Sequence, residues 1–298
     1  MPAKPDKTFR SAVQSRSVAI TAELALKRET TPDDIRTQAR SLAPWVDGIQ
    51  ISDNPWAWTQ MSSVAAASLL LDEGVDPLPI LTCRDRNRIA LTSDLLGLRA
   101  LGARSIMLMR GHRVPRNHPL PAATVFDLSG RELIALAAEL NEDETGKAGD
   151  RLFLGTGARA FRPNAGWRAD SLKDRAAAGA EFLQTQLCFN LDLLQDYLSC
   201  LVDLKVTWDY SVIVSLTPLP SLETAQWIRE HYSDAKIPAA VMQQLEDAQD
   251  QRKEGIEICA GLMREMAALP GIAGINLMTT GDTDALIEAI RLSGVRED

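Results

Sequence analysis

The chain has 298 residues, of which 45% are hydrophobic and 24% charged, and its formal net charge is -8. This composition is typical of a globular protein with a large core, and the negative charge argues against a nucleic-acid partner, which needs a basic face. The polar start lacks the apolar core of a signal peptide, and no run approaches the roughly 20 apolar residues of a membrane span. We therefore expect a cytoplasmic protein without a membrane partner.

The cysteines and histidines do not form a pattern that predicts a metal site. There are three histidines and four cysteines in the whole chain, and the cysteines form no C-x-x-C pair. Structural zinc sites need thiolates or imidazoles at short, regular spacing. We therefore expect neither a metal site nor a disulfide framework.

Eight short apolar runs alternate with helical patterns along the chain. The runs are nearly continuous rather than alternating, which is typical of strands covered on both faces of a parallel sheet. The predicted strands cover 17–24, 47–52, 77–83, 104–111, 151–157, 181–187, 210–216 and 273–278. An open doubly wound sheet would need a glycine-rich turn after the first strand, and the sequence AELALKRET has none.

This alternation predicts one α/β domain, a (β/α)8 TIM barrel over 16–298, preceded by a polar extension at 1–15. No internal repeat or low-complexity linker marks a further boundary. The longest helical pattern runs over 245–269. In such barrels the chemistry lies at the carboxyl-terminal ends of the strands, so the polar residues there are the candidates for function.

Glu23 lies near the end of the first predicted strand, in the apolar sequence VAITAEL. Burial disfavours the charged form of a carboxyl group and raises its pKa, which suits a general acid near neutral pH. A rim glutamate paired with an arginine would have the same position. The residues alone leave both interpretations open.

Two glutamines and several cations are further candidates. Gln184 and Gln186 are two residues apart in FLQTQ, so they share one face of a strand. A buried amide both donates and accepts, which suits a heterocycle with amide-like edges, although a core glutamine bonded within the protein is equally common. The run CRDRNR and the later Lys173 and Arg175 suit a phosphate, and solvated charged surfaces explain them as well.

The order of these motifs resembles the methylenetetrahydrofolate reductase family in its short bacterial form. The motifs are a strand ending in Ala-Glu, then DGIQISDNP, LTCRDRNRIALTSDLLGLRALG, a strand ending in Arg-Gly, and AGAEFLQTQLCFN. The resemblance runs from about Val18 to Ile290, and LTCRDRN with GAEFLQTQ is its most specific part. It implies a barrel that holds FAD, takes hydride from NADH or NADPH, and converts methylenetetrahydrofolate into methyltetrahydrofolate for methionine biosynthesis. It also implies a homo-oligomer.

The resemblance assigns roles to individual residues. Glu23 stands where the family has its catalytic glutamate, and Gln186, with Gln184 beside it, stands at the folate-binding glutamine. Thr224 and Ile228 occupy the positions that flank the nicotinamide and the folate. The implied flavin contacts are Ser52, Thr82, Arg110, Gly111, Thr156 and Arg175.

The fourth strand ends in Arg110-Gly111-His112, where the family has a carboxylate in place of the histidine. That carboxylate lies by the flavin and the folate and opposes the anionic reduced flavin. The resemblance therefore makes His112 a candidate for catalysis and for substrate binding. His112 is expected to raise the potential of a bound flavin and to favour oxidation of methyltetrahydrofolate. The alternative is that it caps its loop and faces no cofactor.

Three functional hypotheses follow. The leading one is a folate-dependent oxidoreductase that interconverts 5,10-methylenetetrahydrofolate and 5-methyltetrahydrofolate by hydride transfer through FAD, in either direction. The second is a methyltransferase barrel that binds methyltetrahydrofolate and moves its methyl group without redox chemistry. The third is a subunit that depends on an electron-transfer partner protein.

Overall fold

A computed structural model of the chain describes residues 8–15, 18–120, 122–142 and 151–296. Eight parallel strands of these residues close into a barrel, each pairing with its neighbours in chain order. The strands are β1 (Ala19–Glu23), β2 (Gly48–Ile51), β3 (Pro77–Thr82), β4 (Ser105–Met109), β5 (Phe153–Ala158), β6 (Phe182–Leu187), β7 (Ser211–Leu216) and β8 (Ile272–Leu277). The predicted TIM barrel is confirmed, and each predicted strand overlaps an observed one.

Helices follow every strand and form the outer layer. They are α1 (Phe9–Gln14), α2 (Pro32–Leu42), α3 (Ser63–Asp72), α4 (Arg88–Leu101), α5 (Gly130–Glu142), α6 (Asp170–Ala177), α7 (Leu191–Asp203), α8 (Leu222–His231), α9 (Ala239–Asp247), α10 (Gln251–Ala267) and α11 (Thr283–Ser293). Short 3-10 turns occur at Pro55–Ala57 and Val206–Trp208. The main core lies between this layer and the outer face of the barrel.

The prediction of a single helix over 245–269 is wrong, because the structure divides this segment between α9 and α10. The division falls at Asp250, whose side chain accepts a hydrogen bond from the backbone N–H of Lys253 at 3.0 Å. An aspartate in this position starts a helix by satisfying one of its free N–H groups. The helical periodicity continues across the break and therefore does not reveal it.

Helix α1 closes the amino-terminal end of the barrel. Phe9 is buried, and its ring meets the Phe182 ring edge-on at a centroid distance of 5.2 Å. Phe182 also stacks with Phe153 at 5.0 Å. A Cβ at Gly155 would overlap the Phe182 ring, so only glycine leaves room for it in β5. Of the segment predicted as a polar extension, 1–7 lies outside the described residues.

Asp76 links α1 to the barrel and makes the stability depend on pH. The backbone N–H of Phe9 donates to Asp76 Oδ2 at 2.8 Å, and burial raises the pKa of this carboxyl group to about 7. An unfolded aspartate titrates near 4. The contribution of Asp76 to the free energy of unfolding is therefore complete below about pH 4 and is lost as the pH rises to about 7.

We expect Asp76→Asn to weaken this pH dependence, because asparagine can still accept from Phe9 but does not titrate. Urea unfolding of both proteins at about pH 5 and about pH 8 measures the effect. The wild-type protein should lose more stability between the two conditions than the variant does. Equal losses would show that Asp76 does not titrate in this range.

Candidate functional site

A cavity of about 970 Å³ opens at the carboxyl-terminal ends of β1, β2, β7 and β8. Its volume lies at the upper end of the range of small-molecule pockets. Glu23 and Ser52 line it, together with Thr224 and Ile228 from α8. The structure thus brings the predicted catalytic glutamate together with the two positions that, by the family resemblance, are expected to flank the nicotinamide and the folate.

Glu23 ends β1 with its carboxyl group held between two donors. The backbone N–H of Thr279 donates to Oε2 at 3.2 Å, and the Ser52 hydroxyl is a second hydrogen-bond partner. Removal from water outweighs both bonds and raises the pKa of Glu23 to about 7. Gln60 holds Ser52 in place, since its amide donates to the Ser52 carbonyl at 2.8 Å. A carboxyl group with this pKa can give or take a proton near neutral pH.

Aromatic side chains form much of the cavity wall. Trp56 projects from the loop after β2 and donates through Nε1–H to the Tyr232 hydroxyl at 3.1 Å. Its loop has left-handed backbone at Asn54, Trp56 and Ala57, with φ of 46°, 56° and 67°. Such conformations are strained for residues with a side chain and persist where the surroundings enforce them. The hydrogen bond to Tyr232 holds the Trp56 ring in place at the cavity.

Trp227 faces the cavity from α8, where its indole stacks on His231 at a centroid distance of 4.4 Å. It is 46% exposed, although indoles usually hide more of their surface. Trp58 also lines the cavity and is 59% exposed. These accessible rings offer flat apolar surfaces on which a planar heterocycle can stack.

Buried amides form a layer inside the barrel. Gln50 and Gln184 exchange two hydrogen bonds, at 2.8 and 3.1 Å. Asn276 donates to Gln50 at 3.1 Å and accepts from the Thr21 hydroxyl at 2.8 Å. The structure therefore pairs Gln184 with another side chain in the barrel interior, whereas Gln186 is half-buried farther along β6. Leu187 is the residue of β6 that lines the cavity.

Most of the residues predicted as flavin contacts lie on the other side of the barrel mouth. Ser52 lines the cavity; the other five, all among the described residues, do not. The Arg175 guanidinium donates to Thr156 Oγ1 at 3.0 Å and to the carbonyl of Gly157 at 2.6 Å. Thr82 donates to Asp53 through both its N–H and its hydroxyl, each at 2.8 Å.

Arg110, Gly111 and His112 follow β4 at the rim. The Arg110 guanidinium lies over the Phe126 ring, 4.2 Å from its centroid. Gly111 has a φ of 78° and sits where a Cβ would approach Thr82 at 3.1 Å, so glycine allows the sharp turn there. His112 is exposed and stacks parallel to Trp56 at 6.1 Å.

The arginines of CRDRNR are all paired with carboxylates. Arg84 bonds to Asp85 at 2.6 Å, and Arg88 bonds to Asp127 at 3.1 Å. Arg86 makes a two-pronged bond with Asp53 at 2.8 and 2.9 Å. Of the two interpretations of this run, the geometry favours a charge cluster over a phosphate site.

The aromatic wall is the part of the site that sequence reasoning missed. Its residues lie in loops or on a helix surface, where the apolar patterns that predict strands do not extend. They are Trp56, Trp58, Trp227 and Tyr232. One signal was available, because Trp56 and Trp58 follow a polar strand end directly, as functional barrel loops do.

Within the described ranges, the structure contains no helix with the length and apolar character that crossing a membrane requires. The same residues include no group of three or more histidine, cysteine or acidic side chains placed to hold a metal ion.

The fold and the site define a TIM barrel with an aromatic cavity at the carboxyl-terminal ends of its strands. A carboxyl group whose pKa is raised to about 7, that of Glu23, lies in this cavity. The family model of methylenetetrahydrofolate reductase matches residues 8–294. The chain belongs to that family, which confirms the resemblance found in the sequence.

One relative bears the name of the family, and two solved structures share the fold. The chain is 26% identical over 242 residues to a "Probable methylenetetrahydrofolate reductase (NADPH)" of Caenorhabditis elegans, covering 78% of this chain and 34% of the relative. It thus spans about a third of that relative's length. An uncharacterized protein from Clostridium thermocellum, described as binding two copies of 5-methyl-5,6,7,8-tetrahydrofolic acid, has a TM-score of 0.60 at 15% identity, over 96% of this chain and 97% of that one. A 2,3-dimethylmalate lyase shares the fold, with a TM-score of 0.52 at 10% identity over 95% and 83%.

Proposed function

We propose that this chain is a folate-dependent oxidoreductase that interconverts 5,10-methylenetetrahydrofolate and 5-methyltetrahydrofolate, with NADH or NADPH as the electron donor. The observation that carries the proposal is the position of Glu23. It ends β1 inside an aromatic cavity, and desolvation raises its pKa to about 7. Family membership and the methyltetrahydrofolate bound by the Clostridium thermocellum protein support the choice of substrate.

The chemistry of the substrate needs an acid of this kind. Opening the five-membered ring of methylenetetrahydrofolate requires a proton on N10, which leaves an electrophilic iminium at N5. A neutral Glu23 donates that proton, and the resulting carboxylate can take it back in the reverse direction. The Thr279 N–H and the Ser52 hydroxyl stabilise the carboxylate once it forms. They thereby keep the pKa from rising further.

The aromatic wall is the proposed contact surface for the folate ring system. The family resemblance implies that Gln186 binds the polar edge of the pterin, but Gln186 does not line the cavity, so we derive no contact from it. Gln184 supports the interior of the barrel through Gln50. His112 acts on the cavity through Trp56, with which it stacks.

We expect Trp227→Ala to weaken folate binding about 2- to 10-fold, because an aromatic pair contributes about 0.5–1.5 kcal/mol beyond the area it buries. Trp227→Phe should retain most of the affinity. Trp208→Ala is the matched control, since this tryptophan is 76% exposed and lies before β7, at the opposite end of the barrel. Quenching of protein fluorescence by methyltetrahydrofolate measures all three. Equal weakening by both alanine variants would remove Trp227 from the site.

The residues assigned to FAD do not fit that cofactor. A bound flavin needs an accessible slot beside its contacts, and the cavity does not extend to Thr82, Arg110, Gly111, Thr156 or Arg175. The side chains of Thr82, Thr156 and Arg175 are hydrogen-bonded within the protein, and the Arg110 guanidinium lies over the Phe126 ring. We therefore derive no step through FAD.

Turnover tests the proposal. The purified protein is incubated with methylenetetrahydrofolate and either NADH or NADPH, with and without added FAD, and 5-methyltetrahydrofolate is quantified by chromatography. We expect nucleotide oxidation and product formation in equal amounts. No product under any of these conditions would contradict an oxidoreductase, and methyl transfer to an added acceptor would support the methyltransferase hypothesis instead.

A further inference from the structure

We infer that the hydride passes directly between the nicotinamide and the folate inside the cavity beside Glu23, with no flavin between them. This inference rests on the proposed function and adds the identity of the immediate hydride donor. Three features of the barrel mouth support it.

The first feature is that Val125 and Phe126 are bound to the residues that follow β3, and Phe126 contacts Arg110 after β4. The backbone N–H of Val125 donates to the Arg84 carbonyl at 2.8 Å, and that of Phe126 donates to the Cys83 carbonyl at 3.1 Å. Phe126 has a left-handed φ of 44° and packs against the core. Val125 and Phe126 are thus bound to the two residues that follow β3, and the Phe126 ring holds Arg110, which follows β4.

The second feature is that Thr82, Thr156 and Arg175, three of the residues assigned to the flavin, already have hydrogen-bond partners within the protein. The Arg175 guanidinium bridges Thr156 and Gly157 within the barrel wall. Thr82 is bound to Asp53, which also receives both prongs of Arg86. A phosphate or a flavin ring would have to break several of these bonds, and buried charges that lose their partners are costly.

The third feature is the cavity itself, which is bordered by one contiguous cluster of aromatic rings. Trp56, from the loop after β2, lies 5.5 Å from the Tyr232 ring, which in turn lies 5.8 Å from the Trp227 ring of α8. A volume of about 970 Å³ reaches the upper limit for a drug-sized ligand, which leaves room for two planar rings in contact. Lys27 and Arg28 are exposed at the same rim and can meet the anionic tail of a folate or a dinucleotide.

The direct step balances without another redox group. Glu23 gives a proton to N10, and the bond between N10 and the methylene carbon breaks. A hydride then leaves C4 of the dihydronicotinamide with its electron pair and bonds to the methylene carbon. The nicotinamide is oxidised, the methylene carbon is reduced to a methyl group, and Glu23 is left ionised. Hydride transfer requires the two carbon atoms to approach to about 3–3.5 Å, which a shared cavity permits.

The test uses NADH and NADPH that carry deuterium at C4, on each face in turn, with the full-length protein as purified. We expect one face of one nucleotide to deliver its deuterium almost completely into the methyl group of 5-methyltetrahydrofolate, as measured by mass spectrometry. The protein should show no flavin absorbance, and initial rates should give intersecting rather than parallel lines. Stoichiometric bound flavin, or a methyl group without deuterium, would overturn direct transfer. The hydrogen on N5 of a reduced flavin exchanges with water, so a flavin relay loses the label.

The outcomes separate the inference from the function on which it rests. Product that forms only after FAD is added would overturn direct transfer and leave the oxidoreductase standing. Absence of 5-methyltetrahydrofolate with either nucleotide, with or without FAD, would overturn both.

Discussion

Replacing Glu23 with glutamine is expected to lower turnover by at least ~100-fold, the lower end of what general acid–base catalysis contributes. Glutamine has nearly the same shape and can still accept the hydrogen bond from Thr279, but it has no proton to exchange near neutral pH. Folate affinity should change far less than turnover. Single-turnover rates and folate titrations of both proteins measure the two quantities separately.

Glu230→Gln is a suitable control, since this residue is an exposed carboxylate on α8. It should have near-normal turnover. A folded Glu23→Gln protein with near-normal turnover would exclude Glu23 from proton transfer. A variant that loses folate affinity and turnover to the same extent would place Glu23 in binding instead.

The two directions of the reaction should depend on pH in opposite ways. Reduction of methylenetetrahydrofolate needs a protonated Glu23, whose pKa burial raises to about 7. Its kcat/KM should be constant at lower pH and fall about tenfold for each pH unit above 7. Oxidation of methyltetrahydrofolate needs the ionised form, so its kcat/KM should rise toward pH 7 and then level off.

Rate profiles over about pH 5 to 9 in both directions, compared with Glu23→Gln, measure this effect. The variant should lack the inflection near pH 7 in each direction. An inflection that survives in the variant would belong to another group. Parallel profiles in the two directions would contradict the exchange of one proton between Glu23 and the folate.

The sequence predicted the barrel because its strands are local patterns. Each strand is a short apolar run, and burial on both faces of a parallel sheet makes such runs distinct. The caps that interrupt a helical pattern were harder to recognise, as Asp250 shows. Packing of α1 against Phe182 could not be predicted at all, because it joins residues far apart in the chain.

The candidate site was predicted in the same uneven way. Glu23 could be predicted from the sequence, because a carboxylate at the end of an apolar strand is unusual. The pairing of Gln184 with Gln50 and of Arg175 with Thr156 depends on the register of distant strands. The loop that carries Trp56 has left-handed backbone at residues other than glycine, so the sequence does not indicate this conformation. The sequence therefore indicated the carboxyl group of Glu23 but not the aromatic surface that lines the cavity beside it.

The proposed chemistry depends on one physical property of Glu23: its carboxyl group must remain partly protonated near neutral pH. The most direct measurement is a 13C NMR titration of the glutamate side-chain carboxyl signals, with Glu23→Gln to assign the signal of this residue. The expected result is one carboxyl group that titrates near 7 and is missing from the variant. A Glu23 signal that titrates near 4, like that of an exposed glutamate, would contradict its role as the proton donor.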